Sequence, residues 1–187
     1  MQLSEFDYTL PDELIAKTPS TPRDHSRLLV VHREPFRIEH RTFYELGLYL
    51  KPGDTLVGNN TQVIPARVLA HRNEKPLEVL FLEKTRTSPL RWSVLCRNMK
   101  RLHAGDTLHF PGNVVATIAA IIDGHVHLDF PALDEATFLD WLHTVGKPPL
   151  PPYIDRDPTP EDFSSYQTVY ANKPGAVAAP PAGLHFT

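Results

Sequence analysis

Six short runs of alternating or β-branched residues fill the sequence between residues 63 and 130, and this pattern constrains the fold most. Turns that contain Gly, Pro or Asn separate the runs at the spacing expected for a small β-barrel or β-sandwich. Asp123-Gly124 is a typical two-residue hairpin turn before the last run. The predicted strands are Val63–Ala70, Leu77–Glu83, Leu90–Cys96, Thr107–Phe110, Val114–Ile122 and His125–Phe130.

The residues before this β-region predict short helices and strands. Pro11, followed by two acidic residues, predicts a first helical turn. The apolar run Arg27–His32 predicts a strand that is covered on both faces. A capping box at Thr42–Glu45 predicts a helix to about Leu50, and Thr55–Val57 predicts another strand.

The residues after the β-region return to helix and then to extended chain. Leu133, Ala136, Leu139 and Leu142 form one apolar stripe of a helix over 133–146, for which Gly146 is a natural C-terminal stop. The prolines of the segment 147–154 exclude helix there, so it is either a linker or the rigid wall of a cleft. A β-region between two mixed segments indicates an inserted domain.

Composition limits the cellular context and the partners. The 19 prolines, about twice the usual share, favour turns and short strands over long helices. The net charge of −3 offers no general attraction to nucleic acid, so RNA contact requires a local basic patch. A single cysteine, Cys96, and the lack of any apolar run near 20 residues predict a cytoplasmic protein without membrane spans.

Three polar clusters near the domain boundaries have both a functional and a structural interpretation. Asn59-Asn60 follows a predicted strand and could fix a base or ribose, or form an Asx turn. The residues 23–27 could bind phosphate, or form a solvated loop with an ion pair. His125 and His127 share one strand face, but the remaining ligands lack a recognisable spacing, so no metal site is predicted.

Two further groups are candidates for RNA contact and for proton transfer. Arg97, Lys100 and Arg101 form the compact basic cluster of the chain, with Trp92 shortly before it, and could touch an RNA backbone or form a solvated turn. Tyr166 and His185 lie among Gly, Pro and Ala residues and could act as general acid or base, or be satisfied core residues.

The chain stops at Thr187, which would suit the N-cap of a helix that does not follow. Either the natural chain ends abruptly at a loop that builds a site, or this is the front part of a longer protein.

Taken in order along the chain, many short strings resemble the bacterial S-adenosylmethionine:tRNA ribosyltransferase-isomerases of queuosine biosynthesis. The resemblance covers nearly the whole sequence. The strings that carry it are Leu10–Ala16, Arg23-Asp24, Ser26–Val30, Pro52–Asp54, Asn59–Thr61, Val63–Arg67, Lys100–Leu102, Pro149–Ile154, Tyr166–Tyr170, Pro174–Pro180 and Ala182–Thr187.

The resemblance implies an α/β, barrel-like large domain interrupted by a small all-β domain. The large domain would comprise residues 1–62 and 149–187 and be incomplete here, because family members are nearly twice as long. The inserted domain would comprise residues 63–148, including the helix. An open sheet edge and an unburied apolar face should then remain.

The family's reaction transfers the ribosyl group of S-adenosylmethionine to the aminomethyl group of a 7-deazaguanine in tRNA and isomerises it, with release of adenine and methionine. S-adenosylmethionine is consumed as a substrate, so no cofactor is implied, and the full-length protein would be a monomer. The alternative is an inactive remnant whose β-domain binds RNA or protein.

The resemblance also implies roles for individual residues. His185 or Tyr166 would handle a proton, and Arg97, Lys100 and Arg101 would contact tRNA. The residues expected to bind or orient the substrate are Asn59, Asn60, Arg67, Gln167 and Thr187.

The chain departs from the family pattern at a few positions. Gly58 replaces a usual Phe, Gln62 a usual Arg, and Pro181 a usual Thr, and the stretch 97–100 differs from the usual Lys-Pro-Ala-Lys. Loss of a buried Phe contact or of an Arg–anion contact would each cost about 2–4 kcal/mol.

Overall fold

The computed structural model describes residues 2–87, 89–97 and 99–187. Within them the strands are β1 (Arg27–His32), β2 (Arg37–Thr42), β3 (Thr61–Val63), β4 (Arg67–Arg72), β5 (Lys75–Thr87), β6 (Leu90–Cys96), β7 (Thr107–His109), β8 (Val115–Ile122), β9 (His125–Phe130) and β10 (Lys173–Ala176). The α-helices are α1 (Glu135–Val145) and α2 (Asp162–Ser165). Short 3-10 helices span Leu3–Phe6, Asp12–Leu14, Arg23–His25, Phe43–Tyr49, Met99–Arg101, Pro111–Asn113 and Pro181–His185.

Six of the strands form a closed antiparallel barrel in the order β4-β5-β6-β9-β8-β7. The prediction of a small barrel or sandwich is therefore confirmed as a barrel, and β6 and β9 have the predicted bounds. The prediction of one continuous strand over Val63–Ala70 is wrong, because this stretch is divided between β3 and β4. Pro65 lies in the gap between them, where it lacks the N–H that a ladder requires.

An aromatic cluster fills the barrel and joins it to α1. Phe138 of α1 stacks on Trp92 of β6 with ring centroids 4.9 Å apart, and it lies 5.3 Å from Phe81. Phe130 approaches the same Phe138 ring at 5.0 Å, and all four side chains are buried. The helix thus completes the barrel's own hydrophobic core.

Helix α1 begins and ends close to the predicted bounds, but its buried stripe differs. Asp134 is the N-cap and accepts from the Thr137 N–H at 2.8 Å. Leu142 is buried as expected, whereas Ala136 is exposed, so the predicted stripe is partly wrong. Gly146 ends the helix with φ −77°, outside the left-handed region, and a Cβ there would collide with the carbonyl oxygen of Pro65.

Outside the barrel, β1 and β2 form a two-stranded antiparallel hairpin. The prediction that Arg27–His32 is covered on both faces is wrong, because alternate side chains point to solvent and Leu29 is 58% exposed. The strand predicted at Thr55–Val57 is also wrong, since this segment is irregular and Val57 is 89% exposed. Apolar side chains thus remain exposed on the hairpin, as expected.

The helix predicted after Thr42 is present as the 3-10 helix Phe43–Tyr49, and the Thr42 N–H donates to the Glu45 carboxylate at 2.8 Å. The helical turn predicted after Pro11 is the 3-10 helix Asp12–Leu14. Both are 3-10 helices and not α-helices.

The two segments that flank the barrel pair with each other. β3 and β10 form a parallel two-stranded sheet, and the Asn60 carbonyl accepts from the N–H groups of Asn172 and Lys173. The Arg23 guanidinium donates to the carbonyl oxygens of Ser164 and Gln167. These contacts bring the N-terminal segment against the C-terminal one, where the site lies.

In the described part of the chain, every helix is too short or too polar to cross a membrane.

Candidate active-site cleft

Four chain segments enclose a cleft of about 570 Å³ in which Tyr166 and His185 both lie. Residues 16–27 form one side, and the Pro-rich segment contributes Leu150, Tyr153 and Ile154 to another. Of the two interpretations of residues 147–154, the cleft wall is therefore the one observed. The remaining boundary comes from α2 and the 3-10 helix Pro181–His185.

His185 ends the last 3-10 helix and packs against the N-terminal segment. Its Nδ1 lies 3.0 Å from the Ser26 hydroxyl oxygen, and its ring is 5.2 Å from the Phe43 ring. Phe186 meets the same Phe43 ring edge-on at 5.0 Å. The imidazole is thus held by one polar and one aromatic contact while it faces the cleft.

Tyr166 directly follows α2 and is partly buried. Burial raises the pKa of its phenol, and the nearby Ala179 backbone opposes that rise only in part. The phenol therefore keeps its proton at neutral pH. In the cleft it can donate a hydrogen bond or a proton, but it is a poor base.

Gln167 uses its side-chain amide to hold the fold. Its Oε1 accepts from the Val63 N–H at 3.0 Å and its Nε2 donates to the Val63 carbonyl at 2.6 Å. Because both polar atoms hold the Val63 backbone, the geometry gives Gln167 a positioning role.

Asn59, Asn60 and Thr187 are exposed, and within the described part of the chain they do not line the cleft. The Asn59 side chain accepts from the Thr61 N–H at 3.0 Å, which is an Asx turn. The structure thus does not gather these three residues around Tyr166 and His185.

A second groove, of about 650 Å³, shares Leu150, Ile154 and Arg156 with the cleft. Arg67 and Arg97 both line it, so the structure brings together one predicted substrate-binding residue and one predicted tRNA contact. Arg67 donates to the Leu150 carbonyl at 3.0 Å, and its Nη1 lies 3.8 Å from Glu78. Its buried Nε finds no partner among the described residues.

Lys100 and Arg101 are exposed on the 3-10 helix Met99–Arg101, in the connection between β6 and β7. The Arg101 carbonyl accepts from Arg72 at 2.7 Å, which fixes this connection. Trp92, which precedes the basic cluster in the sequence, is only 4% exposed and belongs to the barrel core. Asn98, part of one departure from the family pattern, lies outside the described residues.

Arg156 and Asp162 both line the cleft, and no pattern in the sequence predicts their pairing. The two groups form a bidentate ion pair with both contacts at 2.7 Å, and Asp162 is 3% exposed. The guanidinium lowers the pKa of the Asp162 carboxyl to about 2. Ser26 belongs to the polar cluster 23–27, but its contact with His185 could not be predicted from the sequence.

Histidine and acidic side chains of the barrel do not converge on a metal position. Among the residues that the structure describes, no three His, Cys, Asp or Glu side chains are placed to hold an ion. His125 instead lies 3.3 Å from the Ser93 hydroxyl.

The sequence pattern of the family described as "Queuosine biosynthesis protein" matches residues 3–187. The chain belongs to this queuosine biosynthesis family. S-adenosylmethionine:tRNA ribosyltransferase-isomerases of Citrifermentans bemidjiense and Symbiobacterium thermophilum are 44% and 46% identical to it, and each match covers 100% of this chain and 54% of the relative. The chain thus spans about half the length of the curated relatives it matches.

A solved structure also matches this member of the family. It is an S-adenosylmethionine tRNA ribosyltransferase of Thermotoga maritima, 38% identical, with 81% of this chain and 52% of that chain covered at a TM-score of 0.37.

Two of the family departures have a local setting in the structure. Pro181 is the first residue of its 3-10 helix, a position where a missing N–H costs nothing. A Cβ on Gly58 would meet the Tyr170 ring at 3.6 Å, an ordinary contact, so the backbone there does not require glycine. Gln62 lines a small cavity beside Tyr166 and Gln167.

Proposed function

We propose that the protein acts in the transfer and isomerisation of the ribosyl group of S-adenosylmethionine onto 7-aminomethyl-7-deazaguanine in tRNA. The products are epoxyqueuosine-tRNA, adenine and methionine. Membership of the family and the activity for which the relatives are named support this function. The observation that carries the proposal is the meeting of Tyr166 and His185 in one cleft.

The two side chains suit opposite proton transfers. The sulfonium of S-adenosylmethionine acidifies the adjacent C5′–H, and His185 would accept that proton. Tyr166, protonated because burial raises its pKa, would donate to the departing purine. The C5′ electron pair expels the ring oxygen O4′ from C4′, and adenine leaves C1′ as O4′ collapses to a C1′ carbonyl. The tRNA amine adds to C4′ of the vinyl sulfonium and loses a proton, and the C5′ ylide so formed closes on C1′. The resulting alkoxide displaces methionine from C5′ to form the epoxide. The apolar wall residue Leu150 would help to exclude water.

The Arg67–Arg97 groove, adjoining the cleft, is the proposed approach of the tRNA. Glu78, Asp155 and Asp157 also line this groove, so contact with phosphate would come from the individual arginine side chains together with the exposed Lys100 and Arg101. In this scheme Asn59, Asn60 and Thr187 reach the ligand only if their segments move. Gln167 acts through its clamp on Val63.

The same proposal includes the domain organisation. Residues 1–62 and 149–187 would belong to an α/β barrel-like large domain, with residues 63–148 inserted. The protein would act in the cytoplasm, as a monomer in full-length form, and S-adenosylmethionine would serve as a substrate without a further cofactor.

Adenine release tests the function. Purified protein is incubated with S-adenosylmethionine and tRNA that carries the 7-aminomethyl-7-deazaguanine, beside the Citrifermentans bemidjiense relative, and adenine is measured by liquid chromatography. We expect tRNA-dependent adenine, reduced about 100-fold in His185→Ala and unchanged in His109→Ala, a matched histidine on β7. No adenine while the relative turns over would overturn the proposal.

A second candidate is an RNA-binding module without turnover. Two features favour it: the barrel has its own core, and Lys100 and Arg101 are exposed beside it. Salt-dependent tRNA binding without adenine release would support this candidate.

A further inference from the structure

We propose that Ser26 is a positioning residue for His185. Its hydroxyl holds the imidazole in the tautomer with the proton on Nδ1, which leaves Nε2 as the proton acceptor in the cleft. The role of Nε2 as proton acceptor rests on the proposed function, whereas the tautomer does not depend on whether the chain is active.

The hydrogen bonds of the Ser26 hydroxyl fix the direction of its contact with His185. Oγ lies 2.7 Å from the Arg23 carbonyl oxygen and 3.0 Å from Nδ1 of His185. A carbonyl can only accept and a hydroxyl carries one proton, so the shorter contact uses that proton. Nδ1–H must then donate to a lone pair of Oγ, which places the imidazole proton on Nδ1.

Other contacts keep the two partners in register. The Phe43 N–H donates to the Ser26 carbonyl at 2.8 Å, and the Phe43 ring packs on the imidazole. Arg23, whose carbonyl takes the Ser26 proton, is held in turn by two carbonyl oxygens of the segment 164–167. The Ser26 hydroxyl therefore has little freedom to turn toward another acceptor.

Nε2 is the nitrogen left for chemistry. It has no hydrogen-bond partner among the described residues and is not one of their buried unpaired atoms, so it is accessible, and His185 itself lines the cleft. Free histidine in water prefers the opposite tautomer, which would offer a donor at Nε2 in place of an acceptor. The hydrogen bond on one ring nitrogen sets the chemistry of the other.

Nitrogen-15 NMR of the whole chain, labelled at histidine, reads the tautomer directly. Spectra are recorded at alkaline pH, where imidazoles are neutral, and the His185 signals are assigned by their loss in His185→Gln. We expect Nδ1–H to dominate in the wild type. In Ser26→Ala the ratio of Nδ1–H to Nε2–H should fall about tenfold, and Ser26→Thr, which keeps a hydroxyl, should restore it.

A wild-type proton on Nε2 would overturn the assignment without any variant. An unchanged tautomer ratio in a Ser26→Ala protein with a native backbone spectrum would also overturn it. If Ser26→Ala does not fold, Ser26→Cys, whose thiol is a weak acceptor, takes its place in the measurement. If the chain has the Nδ1–H tautomer but releases no adenine, the proposed function is wrong and the Ser26 assignment still holds.

Discussion

Gly183 lies where the last 3-10 helix passes close to the segment 168–170. A Cβ at this position would come within 2.5 Å of the Tyr170 hydroxyl oxygen and 2.7 Å of Thr168 Cγ2. Gly183→Ala should therefore loosen the helix that carries His185 by about 1–3 kcal/mol, because overpacking forces neighbours apart.

Hydrogen exchange followed by mass spectrometry measures this local effect. Amides of residues 182–186 in Gly183→Ala should exchange about 5- to 150-fold faster than in the wild type. Gly47→Ala is the matched control, since a Cβ on Gly47 has no neighbour within 4 Å, and it should leave exchange of these amides unchanged. Equal protection in the two variants would mean that the close approach is absent in solution.

Among the elements, α2 is tied by the Arg156–Asp162 ion pair to the chain that directly follows the Pro-rich segment 147–154. Asp162 also accepts from the Thr159 N–H at 2.7 Å. Its pKa is lowered from 3.8 to about 2, so this stabilisation is fully present above about pH 4 and is lost as the pH falls toward 2. The shift corresponds to roughly 2 kcal/mol at neutral pH.

Asp162→Asn should accordingly lower the melting temperature of the flanking segments at pH 7. Differential scanning calorimetry should show the gap to the wild type closing as the pH is lowered from 5 to 2. Asp157→Asn, an exposed neighbour on the same loop, should change little at either pH. A gap that is independent of pH would argue against a charged Asp162.

Elements with an alternating pattern were predictable because their burial depends on their own strand neighbours. β6 and β9 are of this kind, whereas the buried stripe of α1 was predicted only in part. Arg27–His32 is a strand as predicted, but the prediction that both of its faces are covered is wrong. An apolar run does not indicate whether a second layer covers the strand. Thr55–Val57 has the composition of a strand but no partner to pair with among the described residues.

At the scale of the whole molecule, the site could be predicted only in part. Tyr166 and His185 stand out by residue type, and the fold places them in one cleft. Ser26 and Arg23, which hold them, are far away in sequence and gain their roles only when the flanking segments pair. The occupied amide of Gln167 could not be foreseen either, because free and engaged amides look alike in a sequence.

Buried hydrophobic side chains are concentrated in the barrel and α1. In the described residues every buried hydrophobic side chain lies between Ile64 and Leu142, apart from Val63, Leu150 and Ala179. A fragment of residues 63–148 therefore contains the whole core cluster and should fold alone as a monomer. Trp92 and Trp141, the two tryptophans of the chain, both lie in that fragment and report on its packing by fluorescence.

Urea unfolding of the fragment should give one cooperative transition at nearly the midpoint that tryptophan fluorescence gives for the whole chain. Phe81→Ala removes the ring at the centre of the aromatic cluster and should lower the free energy of unfolding by about 3–5 kcal/mol in both proteins. The exposed Leu69→Ala is the control on the same barrel. A fragment that unfolds without cooperativity would show that the flanking segments are part of the barrel's folding unit, and the proposed domain boundary would then be wrong.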